Sequence, residues 1–133
     1  MFRVLKNKKG VTLVELLAVV VILGIIAAIA VPTIGGLINR QKERAAEATY
    51  DAIVEAAKLY ASAKDDNQFL LSELTGTAGY LDLKDNVVSS TEDGAAEDIW
   101  ITVTGTVVTF NAAGATPGAL LTELYINGLP VLG

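Results

Sequence analysis

The apolar stretch near the N-terminus decides the architecture of this chain, and residues 8–39 read KKGVTLVELLAVVVILGIIAAIAVPTIGGLIN. No charged side chain occurs between Leu16 and Asn39. An α-helix needs about 20 predominantly apolar residues to cross a bilayer, so this stretch is long enough to do so. The basic residues before it predict that the N-terminus stays in the cytoplasm and that the body of the chain lies outside.

Charge is distributed as unevenly as hydrophobicity. Four of the ten basic residues lie before Gly10, and the 133-residue chain has a net charge of -5. A product that begins after Gly10 keeps six basic and fifteen acidic residues, which is a net charge of -9. An acidic body repels phosphate backbones, so nucleic acid is not expected as a direct partner.

Two residue types that carry much of protein chemistry do not occur in the sequence, which contains neither Cys nor His. Disulfides and thiolate sites are therefore excluded, and so are the commonest general base and the commonest metal ligand. Ser, Lys and carboxylates show no spacing that indicates a catalytic pair, so we expect a protein that is not an enzyme. Oxygen groups are the ligands that remain for a metal, and they suit calcium or magnesium.

Glu15 is the feature that a plain membrane anchor leaves unexplained. A carboxylate at the edge of an apolar span is costly unless it is paired or reaches water. Cleavage after Gly10 would give Val11 an α-amino group four residues from Glu15, on the same face of a helix. The sequence thus predicts that cleavage creates the partner charge of Glu15, within one subunit or between neighbouring copies.

Two simpler interpretations of the apolar stretch compete with this one. An uncleaved signal anchor would tether a small outer domain through one helix. A cleaved secretory signal peptide is disfavoured, because the run is longer than a typical signal sequence. Ala28 and Ala30 match its cleavage pattern loosely, but Pro32 and Ile34 prolong the apolar run.

The stretch from Lys8 to about Asn39 resembles the N-terminal motif shared by type IV pilins and by the pseudopilins of type II secretion and competence systems. The matching positions are Gly10, Thr12, Leu13, Glu15, Gly24 and Pro32. The resemblance implies that a membrane prepilin peptidase cuts after Gly10 and methylates the amine of Val11, where the family usually has an aromatic residue or Met. It also implies that a pilus assembly machinery builds the subunits into a helical homo-oligomeric filament.

Gly24 and Pro32 predict a weak part of the apolar helix. Gly has low helix propensity, and Pro has no N–H to donate to the carbonyl of Ala28. A modest kink is the simplest consequence. Resemblance to pilins implies more, because this stretch is commonly unwound in their filaments.

Beyond Asn39 the sequence predicts that the helix continues to Lys64. An apolar stripe follows helical spacing, and an acidic row lies on another face as a solvated surface or as a partner for Arg40, Lys42 and Arg44 of a neighbour. The stripe comprises Ala46, Tyr50, Ile53, Ala57 and Tyr60, and the row comprises Glu43, Glu47, Asp51 and Glu55.

The C-terminal part predicts a small antiparallel sheet packed against the long helix. Strands are expected at 99–104 and 106–110, around Gly105, and at 121–126, with Asn127 and Gly128 turning into a short tail. The fold class is therefore α+β. The expected organisation is a leader at 1–10, a transmembrane and filament-core helix at 11–39, and a helix continuation with a globular head at 40–133.

Two acidic pairs, Glu92-Asp93 and Glu97-Asp98, are the weak candidates for a calcium site. Resemblance to secretion pseudopilins, which bind calcium in a C-terminal loop, favours them. Their spacing matches no EF-hand loop. We expect a solvated, flexible loop without a metal or other cofactor, and calcium is the alternative.

The expected function is that of a structural pilin in a surface filament. A pseudopilin that forms a short filament for secretion or DNA uptake is the alternative. A monomeric membrane-tethered binding domain is a third interpretation, and Gly10 and Glu15 disfavour it.

Overall fold

The computed structural model describes residues 12–76, 79–94, 96–114 and 116–132. The chain separates into two compact units, which divide between Arg40 and Gln41. Its elements, in chain order, are α1 (Leu13–Lys64), β1 (Gln68–Leu70), α2 (Leu71–Thr75), β2 (Val88–Ser89), β3 (Trp100–Thr104), β4 (Val107–Asn111), β5 (Leu124–Ile126) and β6 (Leu129–Leu132). A long helix with small antiparallel sheets in the C-terminal part confirms the α+β class.

The second half of α1 is amphipathic, as its sequence spacing predicts. Of the predicted stripe, four residues are buried and Tyr50 is half-buried, and Ala56 and Ala61 are buried beside them. The acidic row from Glu43 to Glu55 is exposed in the single subunit, which fits both a solvated face and pairing with a neighbour. The helix ends at Lys64, and Asp65 follows it with φ 56°.

The first sheet contains β1, β3 and β4 in that order, and both strand pairs are antiparallel. The β3–β4 hairpin turns at Gly105, whose φ of +61° favours glycine. This hairpin was predicted, with boundaries that differ by one residue. The short strand β1 was not predicted.

The second sheet contains β2, β5 and β6 in that order. The prediction of a tail after Gly128 is wrong, because residues from Leu129 form strand β6 and pair with β5. Asn127 and Gly128 have φ values of 54° and 77°, which is the geometry of a tight two-residue hairpin. Pro130 in this edge strand is exposed and lies opposite Tyr125. The strands therefore form two sheets where the sequence predicted one.

Aromatic contacts join the second half of α1 to the first sheet. The rings of Tyr50 and Phe110 are 5.7 Å apart between centroids, and those of Tyr60 and Phe69 are 4.6 Å apart. Phe69 and Phe110 are almost completely buried. The head thus has one apolar core, to which helix and sheets both contribute.

Tyr60 is the residue through which we expect the stability of the head to depend on alkaline pH. Its hydroxyl donates a 3.0 Å hydrogen bond to Oε2 of Glu73. Burial raises the pKa of Tyr60 above its ordinary value, and the hydrogen bond to Glu73 and the nearby carboxylates act in the same direction. The folded state therefore holds this proton more tightly than the unfolded state does.

We expect the free energy of unfolding to fall as pH rises above about 10, where an unfolded tyrosine ionises. Below that pH the contribution of Tyr60 is fully present. A Tyr60→Phe variant should lose less stability over the same range, because it has no proton to release. Chemical unfolding of both chains between about pH 9 and pH 11 measures this difference. Equal pH slopes for the two chains would contradict the assignment.

Candidate functional site

The start of α1 brings Thr12 and Glu15 together. The backbone N–H of Thr12 donates to Oε2 of Glu15 at 3.1 Å, and the N–H of Glu15 donates to the hydroxyl of Thr12 at 3.3 Å. The N–H of Leu16 donates to the carbonyl of Thr12 at 3.2 Å, which is the first bond of the helix. This reciprocal pair is a capping box, in which each side chain satisfies a backbone donor of the other residue.

The capping box gives Glu15 a local role that was not predicted from the sequence. A Thr cap contributes about 1 kcal/mol to a helix, and a carboxylate in the first turn adds about 0.3–1 kcal/mol through the helix dipole. The signal was visible as Thr-x-x-Glu before an apolar run. Thr12 therefore belongs to the candidate site because it contacts Glu15 directly, and not only because it matches the motif.

One oxygen of Glu15 has no hydrogen-bond partner in the part of the chain that the structure describes. Hydrogen bonds among the described residues reach its Oε2 and not its Oε1. The side chain is exposed, at the first turn of the apolar helix. Glu15 can thus hold the cap with one oxygen while the other accepts a hydrogen bond from an ammonium group. The predicted processing residues, Gly10 and Val11, lie outside the described residues.

The apolar part of α1 is exposed on all sides. Its large side chains from Leu13 to Ile38 are each at least 45% accessible. Among the described residues, one helix has a segment long and apolar enough to cross a membrane, and none of that segment is buried. A surface of this kind needs an apolar environment, which a bilayer or other apolar helices supply.

Gly24 and Pro32 both lie inside α1, which runs through them in the single subunit. The hydroxyl of Thr33 donates to the carbonyl of Ile29 at 2.9 Å. A side-chain bond of this kind to the preceding turn slightly weakens a helix and often bends it. It acts in the same stretch as Pro32, which has no N–H to donate to the carbonyl of Ala28. Irregularity of 24–32 in a filament stays a prediction.

A Pro32→Ala substitution should straighten this stretch of the assembled helix. Alanine restores the donor to the carbonyl of Ala28 and removes the crowding of the ring. Electron microscopy of filaments from both chains measures the backbone hydrogen bonds across 24–32. Unbroken helical bonding in the unsubstituted filament would show that the stretch is not weak.

The four acidic candidates for calcium are not brought together as one cluster. Asp98 accepts hydrogen bonds from the N–H and the hydroxyl of Ser72, at 2.9 and 2.8 Å, so it caps the start of α2. Glu97 accepts from the N–H of Ser90 at 3.1 Å. Glu92 and Asp93 are exposed. Within the part of the chain that the structure describes, no three acidic side chains lie together as a metal site requires.

Comparison with known protein families gives a match at the N-terminal segment. The family model of the prokaryotic N-terminal methylation motif matches residues 5–31, a span that contains the capping box, Gly24 and most of the apolar segment. Neither curated proteins nor solved structures gave a significant match. An apolar helix after a basic leader fits a membrane-anchored precursor that prepilin peptidase processes. The chain thus carries the prepilin motif of type IV pilins and pseudopilins.

Proposed function

We propose that this chain is the structural subunit of an extracellular type IV pilus-like filament. Prepilin peptidase cuts it after Gly10, and a pilus assembly machinery moves the mature subunit from the cytoplasmic membrane into the filament. The methylation motif at residues 5–31 is the observation that carries the proposal. The role is structural and not enzymatic, and no cofactor takes part in it.

Exposure of the apolar helix supports assembly through this segment. Large apolar side chains lie on every face of this segment, so in water they would all be in contact with solvent. A bilayer covers them in the precursor, and the helices of neighbouring copies cover them in the filament. Both environments exclude water, which explains why a single sequence serves the two states.

Glu15 supports the same proposal through the oxygen that has no hydrogen-bond partner among the described residues. An unpaired carboxylate inside a bundle of apolar helices is costly. The amine of Val11 is the one basic group of the mature chain before Arg40. Pairing of Oε1 with that amine, in the same or an adjacent subunit, leaves the capping box intact.

A pseudopilin is the second candidate, because the matched motif is shared by both classes of subunit. Pseudopilins form short filaments that serve secretion or DNA uptake. Length is what separates the two, and electron microscopy of sheared cell-surface material that is labelled for this chain measures it. Long filaments support the pilin, and material that stays at the membrane supports the pseudopilin.

The mature chain is expected to begin at Val11. Intact mass and N-terminal sequencing of the surface form test this directly, and methylation of the amine appears in the same mass. A Glu43→Lys chain, which changes only an exposed position beyond the motif, should be cut at the same bond. Assembled material that retains residues 1–10 would overturn the proposal.

A further inference from the structure

Charged residues alternate in sign along the exposed side of the second half of α1. Arg44, Asp51 and Lys58 follow one another at intervals of seven residues, with positive, negative and positive charge. Seven residues are nearly two helical turns, so the three side chains lie on one face. Arg44 and Asp51 are exposed, and Lys58 is half-buried.

An apolar row runs beside these charges with the same period. Ala45, Ala52 and Leu59 each follow one of the charged residues directly, and all three are exposed. Leu59 is 62% accessible, which is high for a leucine of a folded head. Small side chains such as alanine allow two helices to approach closely, and charges flanking an apolar row set the register of paired helices.

Two of the three charges, Arg44 and Asp51, form no ion pair within the described part of the subunit. Between Thr12 and Leu132, leaving out residues 77, 78, 95 and 115, the one ion pair joins Lys58 to Glu55 at 3.2 Å. Arg44 and Asp51 therefore have no oppositely charged group within 4.0 Å in that part of the chain. Both are available to a partner.

We infer that this face packs against the corresponding helix of a second copy, parallel to it and displaced by seven residues, which is about 10.5 Å along the axis. The inference rests on the proposed filament and adds its register. Without displacement, each charged residue would face the same residue of the neighbouring copy, and the like charges would repel each other. Displacement by seven residues places Arg44 opposite Asp51, and Asp51 opposite Lys58.

The same displacement matches the apolar row. Ala45 of one copy then lies level with Ala52 of the next, and Ala52 lies level with Leu59. The pattern is complementary to itself after translation, so another copy of this chain is the partner that it fits. The apolar first part of α1 can slide along its neighbours, and the charged row supplies a register that apolar contacts lack.

Charge inversion tests the register. Asp51→Arg makes all three charges positive, and we expect the yield of sheared filaments per membrane subunit to fall about tenfold, because like charges opposed at an interface are strongly unfavourable. Inverting the whole row, with Arg44→Glu, Asp51→Arg and Lys58→Glu together, restores the alternation and should restore the yield. Glu55→Lys is included in this variant, so that the ion pair between positions 55 and 58 is kept. Glu43→Lys is the matched control, because it changes the charge by the same amount. The residues seven positions away, Gly36 and Tyr50, are uncharged, so the displaced packing places no charge opposite position 43.

The outcomes separate this inference from the proposed function. Normal yield from Asp51→Arg, or no recovery from the full inversion, overturns the displaced packing and leaves the filament intact. Absence of filaments from the unsubstituted chain overturns the proposed function, and the packing with it. Membrane levels of every variant are matched, so that a folding defect is not counted as an assembly defect.

Cross-linking measures the displacement itself, because the chain has no native cysteine. Ala45→Cys and Ala52→Cys are combined in one chain, and filaments are treated with a short thiol-reactive cross-linker. The double variant should give a ladder of multimers, and neither single variant should cross-link. Dimers from Ala45→Cys alone would place the helices without displacement and overturn the inference, as would the lack of a ladder from the double variant.

Discussion

Replacement of Glu15 by Val should leave few or no filaments while the subunit accumulates in the membrane, cut after Gly10. Valine is readily accommodated in a bilayer, so insertion continues. The filament loses the one carboxylate that can pair with the amine of Val11, and that amine is then buried without a partner. We expect filament yield to fall at least about tenfold, which corresponds to only about 1.4 kcal/mol of assembly free energy.

The capping box defines the controls for this experiment. Glu15→Gln keeps an oxygen that accepts from the N–H of Thr12 and removes only the charge. Thr12→Ala removes the hydroxyl that accepts from the N–H of Glu15 and keeps the charge. If pairing drives assembly, the Gln variant fails like the Val variant, and Thr12→Ala retains filaments.

Filaments are counted at matched membrane levels of the subunit. Normal yield from both Glu15 variants would show that Glu15 is a tolerated interfacial residue. Filaments from Glu15→Gln together with their loss in Thr12→Ala would show that the helix cap matters and that the charge does not. Thr12→Ser keeps the cap, so it should behave like the unsubstituted chain in either case.

Phe110→Ala should lower the free energy of unfolding of the head by about 3–5 kcal/mol. Phe110 is 2% exposed, and its ring packs 5.7 Å from that of Tyr50 between centroids. Truncation to alanine leaves a cavity between β4 and the helix. Trp100 is the one tryptophan of the chain and lies in β3, so denaturant unfolding of the detergent-solubilised chain can be followed by its fluorescence.

Val107→Ala is the matched control for Phe110, because it lies in the same strand and is 58% exposed. Its effect on the free energy of unfolding should stay within about 0.5 kcal/mol. A similar loss in both variants would mean that the strand, and not the core contact, is responsible. Glu15→Val should leave this unfolding transition unchanged, since Glu15 and the head lie in different compact units.

The helix and the longer hairpin were predictable because their patterns are long and local. Three patterns each extend over several residues: the uncharged apolar run, the stripe from Ala46 to Tyr60 and the alternation around Gly105. Strands β1 and β2 have three and two residues, too few for alternation to show. They form because partners distant in sequence pair with them, and tertiary context of this kind is not readable from a local pattern.

The candidate site shows the same division. Glu15 was predicted from the cost of a carboxylate beside an apolar span, which depends on its charge. Its place in the capping box depends instead on the Thr-x-x-Glu spacing. The roles of Asp98 and Glu97 were not predictable, because Asp98 caps a helix 26 residues earlier in the chain. An acidic loop sequence does not reveal whether its carboxylates bind backbone donors or face solvent.

The proline of strand β6 has a consequence for the proposed filament, in which the heads would be held at high local concentration. Open strand edges template pairing with other chains, and repeated heads along a filament would bring such edges together continually. Pro130 interrupts the row of N–H donors on an edge of the second sheet, and it is exposed there. In the proposed filament this edge would resist β-pairing between neighbouring heads, and association would be left to the helix.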